Sequence, residues 1–215
     1  AGTSRITDSW TAMLRIRSFA RQPAAFAVRC VSFTSPVPPA AFEPLQQATR
    51  DYSVEKPVGD ETFEIFQRMY ACDKAPLEAK TESVDDTNPL WRKEKVSYAA
   101  AYGGERIPAY LYLPKSGSPP FQTVVFAPGG DALVLRNSET GIHTDNFDYL
   151  IRTGRAVLYP IYKGLFERGA MNEPGGPNAR RDILIACQKD LARSIDYLET
   201  RPDIQHSRLA YYGIS

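Results

Sequence analysis

Three short runs without a charged residue stand out along the second half of the chain: Thr123-Val124-Val125-Phe126-Ala127, Ala156-Val157-Leu158-Tyr159 and Leu209-Ala210-Tyr211-Tyr212. Uninterrupted apolar and β-branched runs of this length suit strands buried on both faces. Between the first two, Ile142, Phe147, Leu150 and Ile151 fall at helical spacing, which predicts a helix from His143 to Thr153 with Gly154 as its C-terminal cap. Between the second and third, Leu184, Cys187, Leu191, Ile195 and Leu198 recur at steps of three and four. That stripe predicts an amphipathic helix over about 179–200, capped by Asn178 and stopped by Arg201-Pro202-Asp203. The order strand, helix, strand, helix, strand predicts right-handed crossovers in a parallel sheet.

Upstream the period changes to two. Lys93 to Tyr102 and Arg106 to Leu113 flank Gly103-Gly104-Glu105, with Val96 and Tyr98 alternating on one arm and Ile107, Ala109 and Leu111 on the other. This predicts an antiparallel hairpin leading into the sheet. From Asp60 to Tyr70, Phe63, Phe66 and Tyr70 recur at helical steps, so residues 41–90 read as a helical lead-in whose aromatic stripe is expected to be core. The first forty residues differ again: they are rich in arginine and close on Ser35-Pro36-Val37-Pro38-Pro39, a linker-like run. The organisation expected is an N-terminal extension over 1–40, the lead-in over 41–90 and a body over 91–215.

Two places in the body carry chemistry. The first buried strand ends in Pro128-Gly129-Gly130-Asp131, where paired glycines let backbone N–H groups face outward. The third runs into Gly213-Ile214-Ser215, the first three residues of a G-x-S-x-G elbow, in which a serine on a sharp strand-to-helix turn exposes its hydroxyl. In an open α/β sheet the ligand crevice lies at the carboxyl ends of the strands, so both places are expected on one edge. The loop from Tyr162 to Pro177, rich in Gly and Pro, should border it, which makes Tyr162 and Lys163 candidate substrate contacts.

These stretches resemble the α/β-hydrolases, in particular the esterase and prolyl-oligopeptidase-like branch. The residues that carry the likeness are Val124 to Gly130, Gly154 to Gly164, and Asp196 to Ile204 leading to Tyr212-Gly213-Ile214-Ser215. It covers roughly Trp91 to Ser215 and is similar to hydrolase modules appended to bacterial multidomain proteins that also carry a protein-kinase domain. The resemblance implies an α/β-hydrolase fold, of which this chain holds the N-terminal half of a mostly parallel doubly wound sheet. It implies Ser215 as nucleophile, backbone oxyanion donors near Gly129, Gly130 and Asp131, no cofactor, and an acid and a histidine that follow the serine in that order. A further segment or a second chain is therefore expected to complete the fold and the triad. The activity implied is hydrolysis of a small-molecule ester through an acyl-enzyme. A prolyl-oligopeptidase-like peptidase and an inert binding or regulatory module on the same scaffold remain open.

Charge and composition narrow the alternatives. A formal net charge of +1 and the lack of a recognisable nucleic-acid module argue against nucleic acid as partner. No run approaches the roughly 18 apolar residues needed to span a bilayer, and no signal-peptide pattern opens the chain, so no membrane partner and a cytoplasmic location are expected. Cys30, Cys72 and Cys187 are too widely spaced for a zinc or redox motif and are expected to be reduced. H-E-x-x-H, P-loop and G-x-G-x-x-G patterns are all missing, so no metal site is expected. His143 and His206 are expected to be solvated surface side chains rather than a catalytic base.

Overall fold

The computed structural model describes residues 51–72, 74–169 and 175–214. The chain divides into two compact units, Ala1–Glu55 and Lys56–Ser215, and the architecture below is that of the second. The expected boundary near residue 40 and Cys30 lie outside the described residues, as do Ser215 and the stretch 170–174.

The elements, in chain order, are helix α1 (Asp60–Tyr70), strands β1 (Lys80–Asp85), β2 (Trp91–Ala99), β3 (Arg106–Pro114) and β4 (Phe121–Ala127), then the short helices α2 (Asp131–Val134), α3 (Ser138–Gly141) and α4 (Asp148–Arg152). Strand β5 (Ala156–Pro160), helix α5 (Ala179–Glu199) and strand β6 (Ile204–Gly213) complete the set. The strands form one sheet in the order β1-β2-β3-β5-β4-β6. Strands β1, β2, β3 and β5 pair antiparallel in succession. Strand β4 pairs parallel with β5 on one side and β6 on the other. The three uncharged runs are thus the three parallel strands, and the predicted hairpin is β2–β3.

Both faces of this sheet are covered, which is why its central strands tolerate no charge. On β5, Ala156 and Leu158 join Val96, Tyr98, Ile107, Leu111, Tyr197 and Leu198 under α5. The alternate residues Val157 and Tyr159 join Phe126, Phe147, Ile151 and Phe166 on the opposite face. Chain order reverses at β4: its outgoing connection leads to β5, and the next one returns across it to β6. With right-handed crossovers the intervening helices then fall on opposite faces.

Several expectations are corrected. The helix read over 143–153 is a 3₁₀ turn at Thr144–Asn146 followed by α4, although Gly154 does end it at φ 82°. Strand β6 begins earlier than the uncharged run 209–212, since Gln205-His206-Ser207 belongs to it and the ladder continues through a register shift near Phe121 and Thr123. The lead-in is not helical throughout, since Lys80–Asp85 forms an edge strand on β2. The aromatic stripe of α1 is not core: Phe63 is 57% exposed and Phe66 53%.

Arg201 fastens the α5–β6 turn to the sheet. Its guanidinium donates to both carboxylate oxygens of Asp203, at 2.8 and 2.7 Å, and to the buried Glu94 at 2.7 Å. The Asp203 carboxyl is held below its ordinary value by the Arg201 hydrogen bonds, burial working the other way. A depressed folded value stabilises the protein above the unfolded value of about 3.9 and ceases to do so as pH falls through the lower folded one. Asp203→Asn is expected to cost about 1–2 kcal/mol at pH 7 and progressively less towards pH 3. Urea unfolding at both pH values checks this, and an equal cost at each would refute the linkage.

Candidate active site

The last bond of the parallel ladder lies beyond β6: the Ile214 N–H donates to the Ala127 carbonyl at 3.2 Å. This brings the chain entering the serine elbow beside the start of the Pro128-Gly129-Gly130-Asp131 loop. A Cβ built on Gly129 would stand 3.5 Å from the Ile214 side chain. Within the loop, the N–H groups of Ala132 and Leu133 already turn back onto the carbonyls of Gly129 and Gly130, at 3.2 and 3.0 Å. The N–H groups of Gly130 and Asp131 precede these donors, at the end of a helix where N–H groups have no intrahelical acceptor.

The glycines are not there for unusual torsion. Gly130 has φ −58° and ψ −26°, open to any residue, and neither it nor Gly129 is among the positive-φ glycines. What Gly130 contributes is space, since among the described residues nothing lies within 4 Å of a Cβ there. Gly130→Ala is therefore expected to leave stability within about 0.5 kcal/mol of the parent while lowering turnover by crowding the cleft. An unfolding free energy in urea changed by more than about 1 kcal/mol would contradict the steric reading.

A cleft of about 480 Å³ opens at this edge, lined by Gly129, Gly130 and Leu133, by Tyr162 and Leu165, and by Ile214. Leu191 and Cys187 of α5 also line it, and none of the described lining residues is charged. Burial raises the Cys187 thiol to about 11, and the thiol donates to the Lys163 carbonyl at 3.2 Å, so it stays protonated and unreactive. The Tyr162 hydroxyl is buried and has no hydrogen-bond partner among the described residues, and burial raises its pKa, which keeps it a neutral phenol.

The candidate residues thus separate. Gly129, Gly130 and Tyr162 meet at the cleft, beside the residue that precedes Ser215. Asp131 begins α2 with its side chain exposed and only its backbone at the loop. Lys163 is adjacent to Tyr162 but directs its ammonium to Glu105 Oε1 at 2.6 Å. Neither histidine lines the cleft; both are exposed, and His206 Nε2 lies 2.8 Å from the Arg201 carbonyl.

Behind the cleft wall lies a cluster the sequence reading missed. Asp190 is fully buried and its carboxylate pairs with the guanidinium of Arg168, itself only 6% exposed. Tyr102 donates its hydroxyl to Asp190 Oδ1 at 2.8 Å, and the Lys163 N–H donates to Oδ2 at 2.8 Å. Arg168 donates further to the Ile161 carbonyl and to the Tyr102 hydroxyl, both at 2.8 Å, and to Glu105 at 3.2 Å. Burial opposes the charge on Arg168, yet Asp190 and Tyr102 hold its pKa above the ordinary value. The available signal was helical spacing: Asp190 and Ser194 fall on the same face of α5 as Leu191 and Leu198.

No family model and no curated protein matches the chain. Among solved structures it is similar to an acetyl xylan esterase from Paenibacillus sp. R4, with TM-score 0.51 and 20% identity over 72% of this chain and 50% of that one. It is also similar to acetyl xylan esterase 1 from Thermoanaerobacterium sp. JW/SL YS485, with TM-score 0.54 and 15% identity over 74% of this chain and 52% of that one. The chain therefore spans about half the length of these structures. At such identities the likeness is one of fold: the α/β sheet expected from the sequence is observed, as a mixed rather than a mostly parallel sheet among the described residues.

Proposed function

We propose that the chain is the N-terminal half of a serine hydrolase that cleaves carboxylic esters through an acyl-enzyme on Ser215. The observation that carries this reading is the meeting of the Gly129-Gly130 loop after β4 with Ile214, the residue before Ser215 and just past the adjacent parallel strand, at a cleft whose described lining residues are uncharged. The names of the two similar structures support ester hydrolysis as the reaction class.

In this reading the Ser215 hydroxyl attacks the ester carbonyl while a base takes its proton. The carbonyl oxygen, now negative, is met by the N–H groups of Gly130 and Asp131. Fixed backbone donors of this kind are already oriented for the charge that develops. Collapse of the tetrahedral intermediate breaks the C–O bond and releases the alcohol, which takes up the proton. Water then adds to the acyl-enzyme by the same route and frees the acid. The acid and the histidine that activate the serine are assigned to polypeptide beyond Ser215, on the same chain or a second one. This assignment is supported by β6, which among the described residues pairs with β4 on one edge only and leaves Tyr211 59% exposed. A row of unpaired backbone groups beside apolar side chains is a surface that proteins cover.

The test is intact mass of the natural full-length protein after treatment with a fluorophosphonate, which marks only an activated serine. One adduct, mapped to Ser215 by peptide mass, is the expected result. A folded protein that takes no adduct overturns the enzyme reading in favour of an inert module.

A further inference from the structure

We propose that Arg168 and Asp190 are positioning residues of the site, gripping the backbone on both sides of Tyr162 so that this side chain and Leu165 keep the cleft wall in place for ester binding. The proposal rests on the esterase reading above and adds residues that neither touch the ester nor belong to the triad.

The loop from Ile161 to Gly169 leaves β5 and supplies Tyr162 and Leu165 to the wall of the cleft that Gly129 and Gly130 also line. It is irregular apart from a 3₁₀ turn at Phe166–Arg168, so its buried peptide groups need partners outside regular structure. Two come from one ion pair. The Ile161 carbonyl accepts from Arg168 at 2.8 Å, and the Lys163 N–H donates to Asp190 at 2.8 Å. Tyr162 lies between these two anchors. The pair is fixed in turn from three directions: Asp190 belongs to α5, Tyr102 lies just beyond β2, and Glu105 in the β2–β3 turn bonds both Arg168 and the Lys163 ammonium. Loop, helix and hairpin therefore share one hub.

Stability alone is a poor reason for such a hub, because apolar replacements of a buried ion pair are often neutral or stabilising. An apolar pair would fill the space but could not hold a carbonyl and an N–H on either side of one residue. The guanidinium fork matters as well as its charge. Arg168 reaches Ile161, Tyr102, Asp190 and Glu105 at once, whereas a lysine offers a single nitrogen.

The experiment compares wild type, Arg168→Lys and Glu105→Gln in the full-length protein, reading kcat and KM separately on p-nitrophenyl butyrate together with the rate of fluorophosphonate labelling. Arg168→Lys is expected to raise KM about tenfold with kcat nearly kept, since a displaced wall weakens binding while the nucleophile is untouched. Glu105→Gln alters only the half-exposed outer layer, and is expected to raise KM about twofold in a protein that folds as the parent does even if Arg168→Lys does not. Wild-type KM in both folded variants, or in folded Glu105→Gln if Arg168→Lys fails to fold, overturns the positioning role and leaves the esterase reading standing. A wild type that neither turns over the ester nor labels overturns that reading, and the positioning role with it.

Discussion

Replacing Ser215 with alanine is expected to reduce kcat/KM on p-nitrophenyl acetate by about 10⁴-fold or more, because removal of a nucleophile disables the whole catalytic unit rather than one increment of it. The residue that should remain is the turnover contributed by oxyanion donors and binding, which persists when any triad member is lost. The substitution deletes a single oxygen, and the neighbouring ladder bond from Ile214 to Ala127 is a backbone contact that does not depend on it. Urea unfolding of Ser215→Ala should therefore coincide with that of the parent. A folded variant that keeps more than about a tenth of parental turnover would place the nucleophile elsewhere.

The parts of this molecule that could be read from sequence are those governed by one dominant force. The runs 123–127 and 156–159 lie in β4 and β5 and show it, because two buried faces leave no place for charge, whereas the run 209–212, read as buried in the same way, lies in β6 with Ala210, Tyr211 and Tyr212 exposed. Gly129, Gly130 and Tyr162 were readable as a group because the strand order itself places the ends of β4, β5 and β6 on one edge. Where two effects compete, the pattern misleads. Arg168 and Asp190 carry the charges of solvated residues, and only tertiary contacts between elements far apart in the chain convert them into an interior pair. Arg193 is another instance: it sits 1% exposed on α5, donating to the carbonyls of Ala75 and Ala99 and to Asp196. Helix α1 fails in the opposite sense. Its stripe of Phe63, Phe66 and Tyr70 has the spacing of a core face, but spacing reports only that a surface is apolar, and among the described residues nothing buries it.

Substituting Asp190 by asparagine is expected to cost about 3 kcal/mol of folding stability at pH 7, far more than its nearly unchanged volume suggests. The neutral amide leaves the Arg168 guanidinium 6% exposed with Glu105, at 3.2 Å and partly exposed itself, as its nearest remaining counter-charge. With its nitrogen towards Arg168 and Lys163 the amide loses two buried hydrogen bonds, and turned the other way it faces the Tyr102 hydroxyl, which must then accept instead of donating while it also accepts from Arg168. Removing both charges should cost less than removing one. In Arg168→Met with Asp190→Asn no cation remains stranded, so the double variant is expected to lie at least about 1 kcal/mol above Asp190→Asn alone. Urea unfolding of the four proteins gives the coupling directly. If the losses simply added, Arg168 and Asp190 would be two independent residues rather than one hub, and the shared hold on the Ile161 carbonyl and Lys163 N–H would have no energetic basis.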